Sequence, residues 1–311
     1  MVHLSSYQDR DFEVVDYSMY ELGETGLQFR GPAPVPEALE PGSYIACIGA
    51  AQTFGCLCQE PFPSMLAKAL DLPVLNLGYG GAGPEFFDQQ RSLDAYINNS
   101  RCVVIQVMSG RSQSNSIFDT DGLELLTRKA DGRQLSSVDA YHGVINELQR
   151  LSYVPRGRVD AALIRRLNRS GTRALVNETR QRWVNSYASL IQRIQVPKLL
   201  FWFSKRRPDY RENYLSVKGI FNEYPQLIDA ESVRQVAGLC DEYVECVTDR
   251  GSPQQLFSRF TGQQAMVDPG NDRPDLGGQV WTHDHYYPSP EMHEDACTAL
   301  KPVVNKYLQR L

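Results

Sequence analysis

The sequence predicts a three-layer α/β domain, in which a mainly parallel sheet of about five strands lies between helices and carries a helical insertion. Two observations predict this fold. Short, continuously apolar runs alternate with helical patterns along the chain, which is typical of parallel strands buried on both faces. The chain has 311 residues with 42% hydrophobic content, which is enough to form one large core.

The first strand follows an irregular N-terminal lead-in over residues 1–42, which contains a proline-stiffened link at 31–36. The α/β domain is predicted over 43–311 and opens with three strand–turn–helix units. Their strands are predicted at 44–48, 73–77 and 102–108, with helices at 61–70 and 85–98.

Between about 112 and 182 the strand pattern stops and helical periodicity replaces it, which predicts an insertion. Nine arginines stand against two acidic residues between 150 and 182. A solvated helical face is the plain interpretation of this charge, and an anion-binding surface is the alternative. The remaining predicted elements are a helix at 178–195, a strand at 198–203, a helix at 230–240, a weak strand at 243–247 and a final helix at 290–309.

The bulk properties favour a cytoplasmic protein without nucleic-acid or membrane partners. The net charge is −5 and the pI about 5.6, so no global basic surface attracts polyanions. No apolar run is long enough to span a bilayer, and the polar start lacks the core of a signal peptide. Seven cysteines, most of them in apolar runs, indicate reduced and buried thiols.

Polar or glycine-rich segments follow four of the predicted strands. In an open parallel sheet, ligands bind outside the carboxyl ends of the strands, so these segments predict one shared site. The predicted ligand-binding residues are Ala51, Gln52 and Thr53 after the first strand, Asn76, Gly80 and Gly81 after the second, Arg111 and Asn115 after the third, and Ser204, Lys205 and Arg207 after the fourth. The arginines and the lysine favour an anionic small molecule or carbohydrate.

The segment 49–55 is similar to the Gly-Asp-Ser-x-Thr-x-Gly block of SGNH (GDSL-like) esterases and acyltransferases, with Gly49, Thr53 and Gly55 in place. Ala50 occupies the Asp position and Ala51 that of the nucleophilic serine. The segment 76–81 resembles the second block, whose glycine helps to form the oxyanion hole, and Asn115 is the nearest match to the asparagine that completes it. The resemblance implies an SGNH or flavodoxin-like version of the predicted fold.

The C-terminal segment 284–288 is similar to the Asp-x-x-His-Pro block of the same superfamily, with Asp284 kept and Tyr287 at the histidine position. The chain also resembles an uncharacterised bacterial SGNH-like family through its QTFG loop, its WFS-x-R-x-PDY loop and its YYPSPEMH tail. Two of the three triad positions are therefore changed. Because a triad needs a nucleophile within reach of an oriented base, hydrolysis by the standard route is not expected.

The leading functional hypothesis is acyl transfer to a sugar or another hydroxyl-bearing metabolite in a rebuilt site that lacks the usual serine. Ser109, Asp284 and Tyr287 would line this site together with the ligand-binding residues, and His283 or His285 would be the base. Hydrolysis would instead require Ser109, Ser112 or Ser204 as a replacement nucleophile, with His283, His285 or His293 as the base. Gln52 and the loop glycines would bind an oxyanion.

Two other hypotheses stay open. The first is a non-catalytic descendant that binds an anionic ligand or glycan. The second is sulfuryl transfer, since the segment 169–172 resembles the phosphosulfate loop of sulfotransferases. The donor would be an acyl compound or a nucleotide sulfate. No metal is expected, because His283, Asp284 and His285 have no further ligands clustered with them.

Overall fold

A computed structural model describes residues 4–151, 161–209, 216–221, 223–268 and 280–309. The strands are β1 (Tyr20–Glu21), β2 (Gln28–Phe29), β3 (Ile45–Gly49), β4 (Val74–Gly78), β5 (Val103–Gln106), β6 (Phe118–Asp119), β7 (Leu125–Arg128), β8 (Gln134–Ser136), β9 (Lys198–Ser204), β10 (Glu242–Val247), β11 (Gln254–Gln255) and β12 (His283–Asp284). The α-helices are α1 (Leu4–Asp11), α2 (Ala51–Phe54), α3 (Phe62–Leu70), α4 (Pro84–Gln89), α5 (Asp94–Asn98), α6 (Ser137–Leu151), α7 (Ala161–Arg193), α8 (Val217–Phe221), α9 (Ala230–Ala237) and α10 (Pro290–Leu308).

The central sheet has five strands in the order β10-β9-β5-β3-β4, and every neighbouring pair is parallel. Side chains alternate between the two faces of the sheet: Ile45 and Cys47 belong to one buried cluster, Ala46 and Ile48 to the other. Because both faces are covered, the strands contain continuous apolar runs. The predicted three-layer α/β fold is confirmed.

Helices pack on both faces of this sheet. On one face, Trp183 and Tyr187 of α7 are fully buried in the larger cluster. On the other face, α3 and α10 pack against β9, and Phe62 stacks edge-on against Phe201 and Phe203 with centroid distances of 5.5 and 5.8 Å. Among the described helices, none combines the length and the apolar composition needed to cross a bilayer.

The insertion contains strands that the sequence analysis did not predict. β6, β7 and β8 form a three-stranded antiparallel sheet, which packs with α6, α8 and the first half of α7 around a third cluster that includes Phe118, Tyr141 and Phe221. These strands have two to four residues each and are mostly half-buried or exposed, so they lack the apolar runs of the central sheet. The helical part of the insertion is α6 and α7.

The N-terminal lead-in is more ordered than predicted. It contains α1 and the β1–β2 hairpin, both short and polar enough to give no sequence signal. Tyr17 ties it to the central domain: its hydroxyl donates to the Asp11 carboxylate at 2.6 Å and accepts from the Leu57 N–H at 2.9 Å. The Tyr17 ring also packs edge-on against Phe54 of α2 at 4.7 Å. The lead-in thus supports the loop that follows β3.

Candidate functional site

The turn after β3 is held close to the neighbouring strand by two glycines. A Cβ atom added to Gly49 would lie 2.2 Å from the Thr53 hydroxyl oxygen and 2.3 Å from the Gln106 carboxamide oxygen. A Cβ on Gly78 would lie 2.1 Å from the backbone nitrogen of Phe54. Both positions therefore need glycine for close approach of backbone and side chains. This close approach places α2, which is a single helical turn, directly at the carboxyl edge of the sheet.

Gln106, at the end of β5, fixes this turn and was missed by the sequence analysis. Its Oε1 accepts from the Ala50 N–H at 2.9 Å and from the Thr53 hydroxyl at 2.6 Å. Its Nε2 donates to the Tyr224 hydroxyl at 3.0 Å and makes a long contact of 3.5 Å with Gln52 Oε1. A polar residue inside the apolar run 102–108 was the available signal.

Two small cavities open along the strand-end edge. We call the cavity that Arg111 lines the Arg111 lobe and the cavity that Lys205 lines the Lys205 lobe; in each, about 10 Å³ is open to the centre of a water-sized sphere. The Arg111 lobe is lined by Ala50, Ala51, Gln52, Gly81, Ala82, Ser109, Arg111, Ser112, Tyr224 and Tyr286. The Lys205 lobe is lined by Gln52, Phe203, Ser204, Lys205, Glu223, Tyr224, Tyr286, Pro288 and Met292. The predicted loops after β3, β5 and β9 therefore meet the C-terminal segment at this edge.

Gln52, Tyr224 and Tyr286 line both lobes. The Gln52 side chain is 2% exposed, and its Nε2 has no hydrogen-bond partner among the described residues. The contact with Gln106 directs the Gln52 oxygen toward that residue, which leaves the amide nitrogen as a free donor. A buried amide without a partner is costly, so this nitrogen is the clearest ligand-binding group of the site.

Arg111 brings positive charge to its lobe. Its Nη2 donates to Glu124 at 3.1 Å, and the guanidinium lies 5.7 Å from the ring centre of Tyr286. Burial disfavours the charged guanidinium, but the neighbouring Tyr286 and Glu124 side chains outweigh it and raise the Arg111 pKa. The group stays cationic, and only one of its nitrogens is used by Glu124.

The serines of the site are engaged in local hydrogen bonds. Ser109 Oγ accepts from the Arg111 N–H at 3.1 Å and donates to the Gln226 carbonyl at 3.4 Å. Ser204 Oγ donates to the Tyr224 carbonyl at 2.5 Å. The Lys205 ammonium donates to the His285 carbonyl at 2.6 Å, which ties the loop after β9 to the C-terminal segment. These contacts shape the lobes rather than activate a nucleophile.

The C-terminal segment does not present a base to either lobe. Asp284 is buried, and its carboxylate accepts from the backbone N–H groups of Tyr286 and Tyr287 at 3.1 and 2.8 Å. Burial raises the Asp284 pKa, against the effect of those two N–H groups. His283 and His285 are exposed, and neither lines a lobe. The structure therefore gives no geometric support to these two histidines as bases.

Tyr287 and Asn115 also lie away from the two lobes. The Tyr287 ring is buried 5.9 Å from the Arg10 guanidinium and lines neither cavity. Asn115 is fully buried beside the insertion, where its Oδ1 accepts from the Ile117 and Phe118 N–H groups, each at 2.9 Å. Its carboxamide thus holds a turn, and the spacing that made it the nearest match to an oxyanion-hole asparagine does not bring it to the site.

The remaining predicted residues lie behind or outside the lobes. Asn76 donates to the Thr53 carbonyl at 3.1 Å and accepts from the Gly78 N–H at 2.9 Å, so it supports α2 from below. Thr53 is fully buried against Gln106. Gly80 lines neither lobe, although Gly81 lines one, and Arg207 is exposed outside both.

Three of the nine arginines between 150 and 182 have side chains that the structure describes, and their surroundings differ. Arg180 is buried and pairs with Asp229 at 2.8 Å, and Arg182 pairs with Glu178 at 2.9 Å on the same helix. Arg173 is exposed. The side chains of the other six lie outside what the structure describes: Arg150, Arg156, Arg158, Arg165, Arg166 and Arg169.

The segment proposed as a phosphosulfate loop, 169–172, lies inside α7. Such a loop must connect a buried strand to the start of a helix, so the continuous helix overturns this assignment. The helix agrees with the helical periodicity predicted for this part of the insertion, and the arginines at 165 and 166 interrupt the apolar run that a buried strand would need. Within the described ranges, no three His, Cys, Asp or Glu side chains cluster in a way that could hold a metal ion.

A family model described as "Domain of unknown function (DUF6473)" matches residues 5–124 and 159–308. No curated protein matches the chain. Similar solved structures include a family two carbohydrate esterase from Clostridium thermocellum in complex with cellohexaose, at 10% identity and a TM-score of 0.37, covering 91% of this chain and 69% of that one.

A phospholipase A1 from Streptomyces albidoflavus NA297 is similar at 9% identity and a TM-score of 0.40, covering 86% of this chain and 99% of that one. A mutant of the acetyl-xylooligosaccharide esterase Axe2 from Geobacillus is similar at 12% identity and a TM-score of 0.35, covering 88% and 97%.

Proposed function

We propose that this chain, which belongs to the DUF6473 family, binds a small, anionic, hydroxyl-bearing ligand such as an acidic sugar at the strand-end edge of its sheet. Binding does not lead to covalent chemistry. The observation that carries this proposal is the pair Ala51 and Gln52. A methyl group stands where a serine hydrolase has its nucleophile, and beside it lies a buried amide donor that has no hydrogen-bond partner among the described residues.

The chemistry of the Arg111 lobe favours an oxygen-rich anion. The Arg111 guanidinium and the Gln52 amide both donate hydrogen bonds, and charged donors bind carboxylate or phosphate oxygens more strongly than neutral ones. The half-buried Tyr286 ring adds an apolar face, which suits the C–H face of a sugar ring. A ligand with an anionic group and several hydroxyls matches this combination.

Acyl transfer, the function that the sequence predicted first, lacks its base in this geometry. Of the four histidines that the structure describes, none lines either lobe. The Ser109 hydroxyl donates to the Gln226 backbone carbonyl, and no described histidine lines its lobe to take the proton. Sulfuryl transfer loses its support because the supposed donor loop is helical. The ligand-binding hypothesis therefore accounts best for the site.

Isothermal titration calorimetry with D-glucuronate, inorganic phosphate and D-glucose tests the proposal. We expect D-glucuronate to bind and D-glucose to bind more weakly, since only the acid engages Arg111. Gln52→Leu and Arg111→Gln should each weaken D-glucuronate binding by about tenfold, the equivalent of roughly 1.4 kcal/mol for a lost hydrogen bond to a charged group.

Arg207→Gln is the matched control, because Arg207 lies on the same edge of the sheet but lines neither lobe. Its affinity for D-glucuronate should equal that of the wild type. The proposal is wrong if D-glucuronate fails to bind, or if Gln52→Leu and Arg111→Gln leave its affinity unchanged. If inorganic phosphate binds tightly and D-glucuronate does not, the ligand is a phosphorylated compound and the acidic-sugar proposal is wrong.

A further inference from the structure

The Arg111 guanidinium already holds an anionic group, the carboxylate of Glu124. Arg111 Nη2 donates to Glu124 Oε2 at 3.1 Å, and both side chains are partly exposed, 20% for Arg111 and 31% for Glu124. We propose that Glu124 is an internal competitor of the ligand: its carboxylate occupies the position of the ligand's acid group and leaves Arg111 when the ligand binds. This inference rests on the proposed function and adds the residue that controls access to the site.

The Arg111 lobe is too small for a sugar while this ion pair is formed. It has room for about one water molecule. A sugar-sized ligand therefore enters only if a side chain beside the lobe moves aside. The Arg111–Glu124 pair is the contact that an acidic ligand can replace, because the ligand brings a carboxylate of its own. This exchange leaves the guanidinium paired both before and after binding, so no charge in the site is stranded.

The Glu124 side chain also lies against Gly81, a second residue that lines the lobe. Gly81 has a φ of +76°, and a Cβ atom added there would lie 3.4 Å from Glu124 Cγ. The carbons of Glu124 thus fill the space next to this part of the wall. When the carboxylate leaves Arg111, the lobe becomes wider beside Gly81.

The backbone that carries Glu124 is held in place, so the exchange involves its side chain. Glu124 follows a turn between β6 and β7 in which Thr120 Oγ1 donates to the Leu123 carbonyl at 2.7 Å. The Gly83 N–H donates to the Gly122 carbonyl at 2.7 Å, which joins this turn to the loop before α4. Rotation of the Glu124 side chain is therefore the smallest movement that releases Arg111.

The ligand would meet one more donor than Glu124 does. A partly exposed ion pair contributes at most about a fivefold change in a binding equilibrium, which is roughly 1 kcal/mol. An acid group in the lobe would meet the same guanidinium and also Gln52 Nε2, which has no partner among the described residues. The hydrogen bond to this buried amide favours the ligand over Glu124.

Calorimetry with D-glucuronate on the full chain tests the inference. Glu124→Gln keeps the shape of the side chain and removes its charge, so we expect D-glucuronate to bind about fivefold more tightly than to the wild type. Glu124→Ala, which also removes the Cγ beside Gly81, should show at least the same gain. In a chain that carries Arg111→Gln, Glu124→Gln should change the affinity by less than about twofold, since no guanidinium is left to compete for.

Asp121→Asn is the matched control, because it removes the same charge from an exposed position in the same turn that lines neither lobe. It should change the affinity for D-glucuronate by less than about twofold. The inference is overturned if neither Glu124 variant binds D-glucuronate more tightly than the wild type, or if Asp121→Asn shows the same gain. In that case Arg111-dependent binding by the wild type would still uphold the proposed function. If neither the wild type nor the Glu124 variants bind D-glucuronate, the proposed function and this inference fall together.

Discussion

Among single residues, Gln106 holds the turn that carries Ala51 and Gln52, although it lines neither lobe. It is fully buried, and its carboxamide holds the Ala50 N–H and the Thr53 hydroxyl on one side and Tyr224 on the other. Gln106→Leu removes the acceptor from two buried donors, so we expect a loss of about 2–4 kcal/mol in the free energy of unfolding. Urea denaturation measures this free energy. Gln255→Leu, at an exposed position, should change the free energy of unfolding by under ~0.5 kcal/mol. An equal effect of the two variants would contradict the proposed role of Gln106.

Adding a hydroxyl at position 51 tests whether the site lacks only a nucleophile or also lacks a base. Ala51→Ser places a hydroxyl in the Arg111 lobe, but no described histidine lines that lobe to take its proton. We therefore expect hydrolysis of p-nitrophenyl acetate by this variant to stay at the wild-type background. Ala82→Ser, which adds a hydroxyl to the same lobe, is the control. Turnover by Ala51→Ser alone would show that a base reaches the site.

At the scale of elements, β4 can approach α2 closely because Gly78 has no side chain. The Cβ of Gly78→Ala would overlap the backbone of Phe54 at 2.1 Å, and backbone cannot rotate away as a side chain can. We expect a loss of about 3 kcal/mol or more in unfolding free energy. Gly143→Ala, in α6 with open space around it, should instead stabilise by roughly 0.5–1 kcal/mol. In thermal and urea denaturation, the two variants should change the free energy of unfolding in opposite directions. A change in the same direction would refute the packing argument.

The elements that could be predicted from the sequence are those buried on both faces. β3, β5 and β9 have continuous apolar runs because helices cover both sides of the sheet. β7 and β8 pair through short, half-exposed segments whose stability comes from packing against α6, a contact that local pattern does not encode. α1 is likewise polar and depends on contacts such as Tyr7 against Phe54 at 6.1 Å.

Across the whole molecule, strand order predicts which loops meet but not where side chains point. Gln52, Ser109, Arg111 and Lys205 line the lobes because parallel strands end at one edge. His285 lies on the same segment as Tyr286, yet alternation along the chain exposes one and brings the other to the site. Gln106 acts through hydrogen bonds to Ala50, Thr53 and Tyr224, which are distant in the sequence, and a single sequence does not specify such contacts.

The junction of α3, α10 and β9 makes the stability of the whole chain depend on pH. His293 is fully buried between Phe62 and Phe203, and burial lowers its pKa to about 3. An exposed imidazole has a pKa of roughly 6.5, so between these values the unfolded chain binds a proton that the folded chain does not. Stability is therefore full above pH ~6.5 and falls by up to ~1.4 kcal/mol for each unit below it.

His293→Asn keeps an acceptor for the Phe62 N–H, which donates to Nδ1 at 3.2 Å, but does not titrate. From pH 7 to 5, urea denaturation should show the wild type losing about 2 kcal/mol more than this variant. An unchanged slope in His293→Asn would show that this imidazole is not the titrating group.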